Sequence, residues 1–186
     1  FTGYLIDYNQ QMFVPDLKAA DMLLKRLELY KRLFTQISAV QKKGLNSNRV
    51  ATERNLLRTI DQLQNYLATA VEKDPLLLIN FSQEISESEI VNWKEKAVEI
   101  IKTKIRPTVV DYLEQLKTEH LPKGRSDEKS GIMWIEEGED LYLRALRKYT
   151  GHKNTTVKEV HEIGLSEIER LKKEFFEIGK NVFQKV

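Results

Sequence analysis

The chain has 186 residues, 30 of them basic and 28 acidic, with a formal net charge of +2 and no cysteine. That length suits one domain or one lobe of a larger protein, and it can bury a core without metal or disulfide support. The absence of cysteine excludes disulfides, thiolate metal sites and cysteine nucleophiles, and the interleaved charges argue against the clustered basic face that nucleic acid requires.

No apolar run reaches the roughly 18–20 residues needed to span a bilayer, so no membrane span is expected. The longest, Pro75–Ile79, is far too short. The chain begins at Phe1 and lacks an initiator methionine, consistent with removal of an upstream signal or domain. Both the bacterial cytoplasm and export stay open as locations.

The first predicted element runs from Asp16 to about Lys43. Leu17, Ala20, Leu24, Leu27, Tyr30, Phe34, Ile37 and Val40 recur at steps of three and four, the mark of an amphipathic helix. Pro15 and Asp16 suit its start and Gly44 its stop. A second helix is expected from near Ser47 to about Val71, on Val50, Leu56 or Leu57, Ile60, Leu63 and Leu67. Lys73-Asp74-Pro75 breaks it, because the residue before a proline disfavours helix. Residues 75–85 read as a short helical turn.

A third helix opens at Ser86 or Ser88, and Ser86 with Glu89 fits a capping box. Its stripe includes Ile90, Trp93, Ala97, Ile101, Ile105, Val109, Tyr112 and Leu116, with Pro107 inside it as the expected kink or split. Residues 118–131 read as a polar loop. A shorter helix covers about 138–149, ended by Gly151. Thr156 and Glu159 form the clearest capping box, opening a last helix on Val157, Val160, Gly164, Ile168, Leu171, Phe175, Ile178 and Val182. No segment alternates strictly, so the predicted class is all-α, a bundle of about five to six helices.

The chemistry is sparse. His161-Glu162-Ile163-Gly164-Leu165 begins like a zinc-peptidase helix, but that site needs imidazoles at positions one and five. Position five is Leu165, so the zinc reading fails. His120 and His152 add no ligand spacing, and Lys117 and Lys158 stand where Glu-x-x-His pairs of a di-iron bundle would need glutamate. No catalytic residue and no metal ligand is therefore assigned. His161 reads first as a half-buried imidazole bonded to a neighbouring helix, second as a residue lining a cleft. Gly164 costs about 1 kcal/mol in a helix interior, which close approach of another backbone would explain.

Trp134, Tyr142 and Tyr149 at helical spacing read as core before ligand surface. Gly131 and Gly138 bracket an expected extended piece, Ile132–Glu137, that is no phosphate cradle. Glu136-Glu137 and Glu139-Asp140 suit the start of a helix dipole.

Three blocks carry a family resemblance: residues 105–125, 131–150 and 155–175. Their matching positions are Pro107, Leu121-Pro122, Arg125, Gly131, Gly138, Tyr142, Thr150, His161, Gly164, Leu165 and Glu167. They resemble the bacterial family called domain of unknown function 885, with residues 44–63 similar to the helix that precedes. The resemblance implies kinship with helical zinc metallopeptidases whose His-Glu-x-x-Pro-Gly-His motif lies downstream and is absent here. Two departures stand out: Glu136-Glu137-Gly138 replaces Pro-Asp-Gly, and Thr150-Gly151-His152 replaces a threonine run.

What the resemblance implies is a helical N-terminal or middle portion of a zinc-dependent peptidase-like hydrolase, inactive alone. His161, and then Tyr149 and Arg147, are its expected substrate contacts, toward a peptide. Zinc is expected only in the full-length parent, and the partner is that parent's remaining C-terminal portion. The alternative is a self-standing helical binding or scaffolding module.

Overall fold

A computed structural model describes residues 12–183. The described residues are mostly helical, as the periodicity predicts, and the chain divides into two compact units, 1–130 and 131–186.

The first unit is organised around one long bent helix. Ser86 caps α4 (Glu87–Ile100): its hydroxyl accepts from the Glu89 backbone N–H while the Glu89 carboxylate accepts from the Ser86 N–H. The helix then widens over Ile101–Ile105 and continues as α5 (Arg106–Gln115). Pro107 has no N–H to give, and the five-residue wide turn before it lets the chain pass the proline without ending the apolar stripe. The hydroxyls of Thr103 and Thr108 donate to the carbonyls of Glu99 and Lys104 at 2.6 and 2.7 Å, adding side-chain donors around the turn. The expected kink is thus a bend with its hydrogen bonding largely retained. A second wide turn, Leu116–His120, and a tight turn at Leu121–Lys123 carry the helical path into residues expected to be loop.

Trp93, Ala97, Ile101, Ile105, Val109, Tyr112 and Leu116 line the buried side of this spine. Against it lie α1 (Leu17–Glu28), α2 (Tyr30–Asn46) and α3 (Glu53–Ala68). Asp16 caps α1, accepting from Ala19 N–H at 2.7 Å. Leu23, Leu27, Phe34, Leu56, Ile60 and Leu63 fill the core from the three helices. Each fully buried leucine or isoleucine stabilises the fold by roughly 1.5–3 kcal/mol relative to exposure. The Trp93 indole donates to the Ala20 carbonyl at 2.9 Å, which orients the ring while its face packs edge-on to Phe81. Tyr112 accepts from the Gln41 amide at 2.8 Å and meets Phe34 edge to face.

Four boundaries differ from the sequence expectation. The single helix expected over 16–43 is two helices separated at Leu29, where no glycine or proline signals a break and the exposed Leu29 caps the first helix by donating its N–H to the Arg26 carbonyl. Gly44 lies inside the last turn of α2, and its carbonyl accepts from Ser47 and Arg49. The helix expected from Ser47 starts at Glu53 because residues 50–52 are occupied with Arg125. Arg125 N–H donates to the Ala51 carbonyl, its carbonyl accepts from Glu53 N–H, and its guanidinium donates to the Val50 carbonyl at 2.7 Å. Two-residue strands β1 (Phe13–Val14) and β2 (Asn80–Phe81) pair in parallel, a contact that alternation does not announce.

Asp74 and His120 are the polar groups whose burial has consequences. The Asp74 carboxylate, 0% exposed, caps its own turn by accepting from Leu76 N–H at 3.1 Å and accepts from Arg106 at 3.2 and 3.3 Å. Arg106 also lies over the Tyr66 ring, 5.4 Å from its centroid. Burial, and then the Asp74 carboxylate, push the Tyr66 phenol above its usual range. His120 is buried with Nε2 3.0 Å from the Gln115 amide nitrogen, a hydrogen bond that requires Nε2 to be unprotonated.

In the second unit, Ile132–Trp134 is a tight helical turn, not the expected extended piece. It packs on α6 (Gly138–Thr150), which ends at Gly151 in the left-handed region, φ 72°. A Cβ at Gly138 would sit 1.8 Å from the Ile132 carbonyl oxygen, so only glycine fits there. The last helix, α7 (Val157–Phe183), starts at the Thr156–Glu159 capping box, with both reciprocal bonds present at 2.8 and 3.2 Å.

Removing either side of the buried ion pair leaves an unpaired buried charge. Asp74→Ala and Arg106→Ala are each expected to lower unfolding free energy by about 3–5 kcal/mol, with the double variant costing less than the sum, measured by urea denaturation.

Burial holds the His120 imidazole below its ordinary pKa, Glu119 opposing and Lys42 and Lys123 assisting. The unfolded chain regains the ordinary value of about 6.5, so below that pH it binds more protons than the folded one. The contribution is complete above about pH 6.5 and is lost as pH falls through the depressed folded value. As pH falls from about 7.5 to 5.5, the denaturation midpoint of the unsubstituted 186-residue chain should therefore fall, with a smaller fall in His120→Gln. An equal fall in both would contradict this account.

Candidate functional site

The residues singled out in the sequence lie on α6 and α7, in the second unit. Arg147 and Tyr149 are both exposed, Tyr149 at 85%. Two residues apart on a helix, they point about 160° away from each other, so one flat wall cannot present both. His161 stands in the second turn of α7. It is exposed, where the first reading makes it half-buried, and Val160 beside it is partly covered.

Trp134, Tyr142 and Tyr149 are also exposed, against the expectation that they belong to a core. The physical reason is size: a short turn and two helices offer too little surface to bury three large rings.

The chief feature of α7 is what it leaves uncovered. None of its described side chains is buried. Leu165, Ile168, Leu171, Phe175, Ile178 and Val182 are all exposed, Phe175 at 71%. Most of these residues, with Val157, Val160 and Gly164, form one side of the helix, and His161 borders it. The rest of the helix carries exposed Ile163 and Phe176 but is mostly polar and internally paired: Arg170 with Glu167 at 2.8 Å and with Glu174, and Lys172 with Glu169 at 2.7 Å. Such pairs stabilise a helix by only about 0.2–0.5 kcal/mol each and mark a solvated face. Neither Gly164 nor Gly179 has any atom within 4 Å of a built Cβ, so the close approach expected at Gly164 is not made within the described residues.

The first unit holds groups that the sequence reading missed. Asp74 read only as part of a helix break, because pairing with a residue 32 positions away leaves no local signal. A groove of ≈ 240 Å³ beside Trp93 is lined by Leu17, Leu24 and Phe81 together with the charged Asp21, Glu89 and Lys96. Its charged lining carries both signs.

Among the described residues, no three His, Asp or Glu side chains come together as a metal would need. The zinc implied by the family resemblance therefore finds no ligand set here, and no reaction step is assigned to it. No described helix is long and apolar enough to cross a membrane.

By architecture this is an all-α protein with an exposed polar and aromatic surface on its second unit. Over residues 2–186 it matches the family described as bacterial protein of unknown function (DUF885), and it belongs to that family. No curated protein and no solved structure matches it.

The glycines give a contrast that tests this geometry. Gly164→Ala should stabilise α7 in this chain by up to about 1 kcal/mol, read as increased helicity and thermal midpoint, because alanine is the better helix former and meets nothing. Gly138→Ala should disrupt the 131–150 segment, read as loss of its amide protection, because its methyl has no place beside the Ile132 carbonyl.

Proposed function

We propose that this chain is a helical portion of a zinc-dependent peptidase-like hydrolase, forming part of the cleft wall and contacting substrate without being catalytic alone. The observation that carries the reading is the uncovered apolar side of α7 with His161 at its border. An amphipathic helix of a folded protein ordinarily buries such a side, and a partner seated there would turn the exposed ground beside His161 into a concavity. The partner in this reading is the remaining C-terminal portion of the parent, which brings the metal ligands.

The side-chain chemistry suits a peptide. A neutral imidazole at His161 can donate to a backbone carbonyl or accept from a backbone N–H. Tyr149 offers a ring face and a hydroxyl, and Arg147 offers a fork for a carboxylate. Their opposed directions on α6 mean that only one of the two joins His161 on a given wall.

The test compares this chain with the chain extended by the sequence that follows it in its gene. The extended protein should hold zinc stoichiometrically and cleave peptides, and the 186-residue chain should do neither. In the extended protein His161→Ala should lower kcat/KM by about tenfold or more with an unchanged melting temperature. A lowered melting temperature with unchanged turnover would make His161 structural. An extended protein without zinc or hydrolysis would leave a helical binding or scaffolding module as the better reading.

A further inference from the structure

We propose that residues 117–130 form an acid-released clasp: protonation of His120 lets this segment come away from the start of α3 while the spine from Trp93 to Leu116 stays folded. The device is local, distinct from the loss of overall stability that any buried imidazole brings in acid. The segment is also the connection that leads into the second unit, which carries His161.

Two features lie close together in it. One is the strap around Arg125, which closes on the start of α3. Glu53 N–H donates to the Arg125 carbonyl at 2.8 Å, Arg125 N–H to the Ala51 carbonyl at 3.0 Å, and the guanidinium to the Val50 carbonyl. A Cβ at Gly124 would come within 3.0 Å of the Glu53 Cα, so the two backbones pass in close contact. Asp127 adds an ion pair with Arg54 at 2.6 Å. The other feature is His120, 5% exposed at the end of the wide turn Leu116–His120. Only the four residues 121–124 separate His120 from Arg125. They begin with the tight turn Leu121–Lys123, and Leu121 packs against the core. Such a short, folded connection has little slack, so an imidazole moving into water draws the strap with it.

The surroundings of the ring decide what a proton does there. Nε2 lies 3.0 Å from the Gln115 amide nitrogen, which suits an unprotonated Nε2. A turned Gln115 amide would offer its oxygen to a protonated Nε2, but it would not restore the hydration that a buried cation loses. Glu119 favours the cation, and its carboxylate is already engaged by Lys42 of α2 at 2.9 Å. Lys42 itself and Lys123 of the following turn oppose the cation. Lys117 adds a further positive charge on the same turn. The other charged residues of the packed helices, Asp111 and Glu114 on α5 and Glu53, Arg54, Arg58 and Asp61 on α3, are exposed. Leaving the buried site is therefore the way for the ring to carry its proton in water.

Amide exchange followed residue by residue by NMR at pH 7.5 and 5.5, corrected for intrinsic rates, tests the clasp on the unsubstituted 186-residue chain. At both pH values the Glu53 and Arg125 amides should be less protected than those of Ala97 and Val109. Their protection should fall by up to about tenfold between the two, because the freed imidazole regains its ordinary pKa of about 6.5 and each pH unit below it favours the opened, protonated form about tenfold. In His120→Gln the fall should vanish. Protection of Glu53 and Arg125 that does not change with pH would overturn the inference, since the strap would then open with the imidazole still buried. Protection equal to that of the spine would overturn it as well, because no separate opening would exist, and so would an undiminished fall in His120→Gln. If that variant does not fold, the pH series of the unsubstituted chain decides alone.

Discussion

The fold of the first unit depends on one constraint: the apolar stripe from Trp93 to Leu116 must continue past Pro107. A proline in a helix interior removes a hydrogen bond and crowds the preceding turn, at a cost of about 3 kcal/mol or more. Here the turn over Ile101–Ile105 widens by one residue per turn, so the buried sequence Ala97, Ile101, Ile105, Val109 stays in register with its neighbours. Arg106 sits at the exit of that turn, where it meets Asp74 on the connection from α3. The bend, the buried ion pair and the Trp93–Ala20 hydrogen bond are thus linked consequences of one helix serving three others.

Much of this was readable in the residues. The stripes of α3 and of the α4–α5 spine follow the three-and-four rule closely, and both capping boxes stand where Ser86 and Thr156 imply. What escaped was non-local. The separation at Leu29 carries no breaker residue, and the start of α3 is delayed by a strap around Arg125 from 75 residues further along. The parallel pairing of Phe13–Val14 with Asn80–Phe81 is two residues long, too short for any periodicity to show. Asp74 was visible as an Asp-Pro punctuation mark, but its role as a buried counter-ion depends on an arginine that the sequence places in another helix.

The candidate site was legible in part. Composition and spacing located the polar and aromatic residues of α6 and α7, and the family match covers them. Their exposure was not legible, because amphipathic periodicity says which side of a helix is apolar and not whether anything in this chain covers it. His161, Trp134 and Tyr149 were read as partly or wholly buried for that reason, and all three are exposed. The same distinction separates the units. The first has a closed core, while the second ends in a long helix held by its own backbone bonds, its capping box and its surface ion pairs.

Hydrogen–deuterium exchange along the 186-residue chain tests that contrast most directly. Amides from about Trp93 to Leu116 should exchange slowest, near the limit set by global unfolding, and those of α7 from about Gly164 onward should exchange far faster. Equal protection of the two stretches would contradict the account, since it would mean that α7 is as firmly covered as the spine.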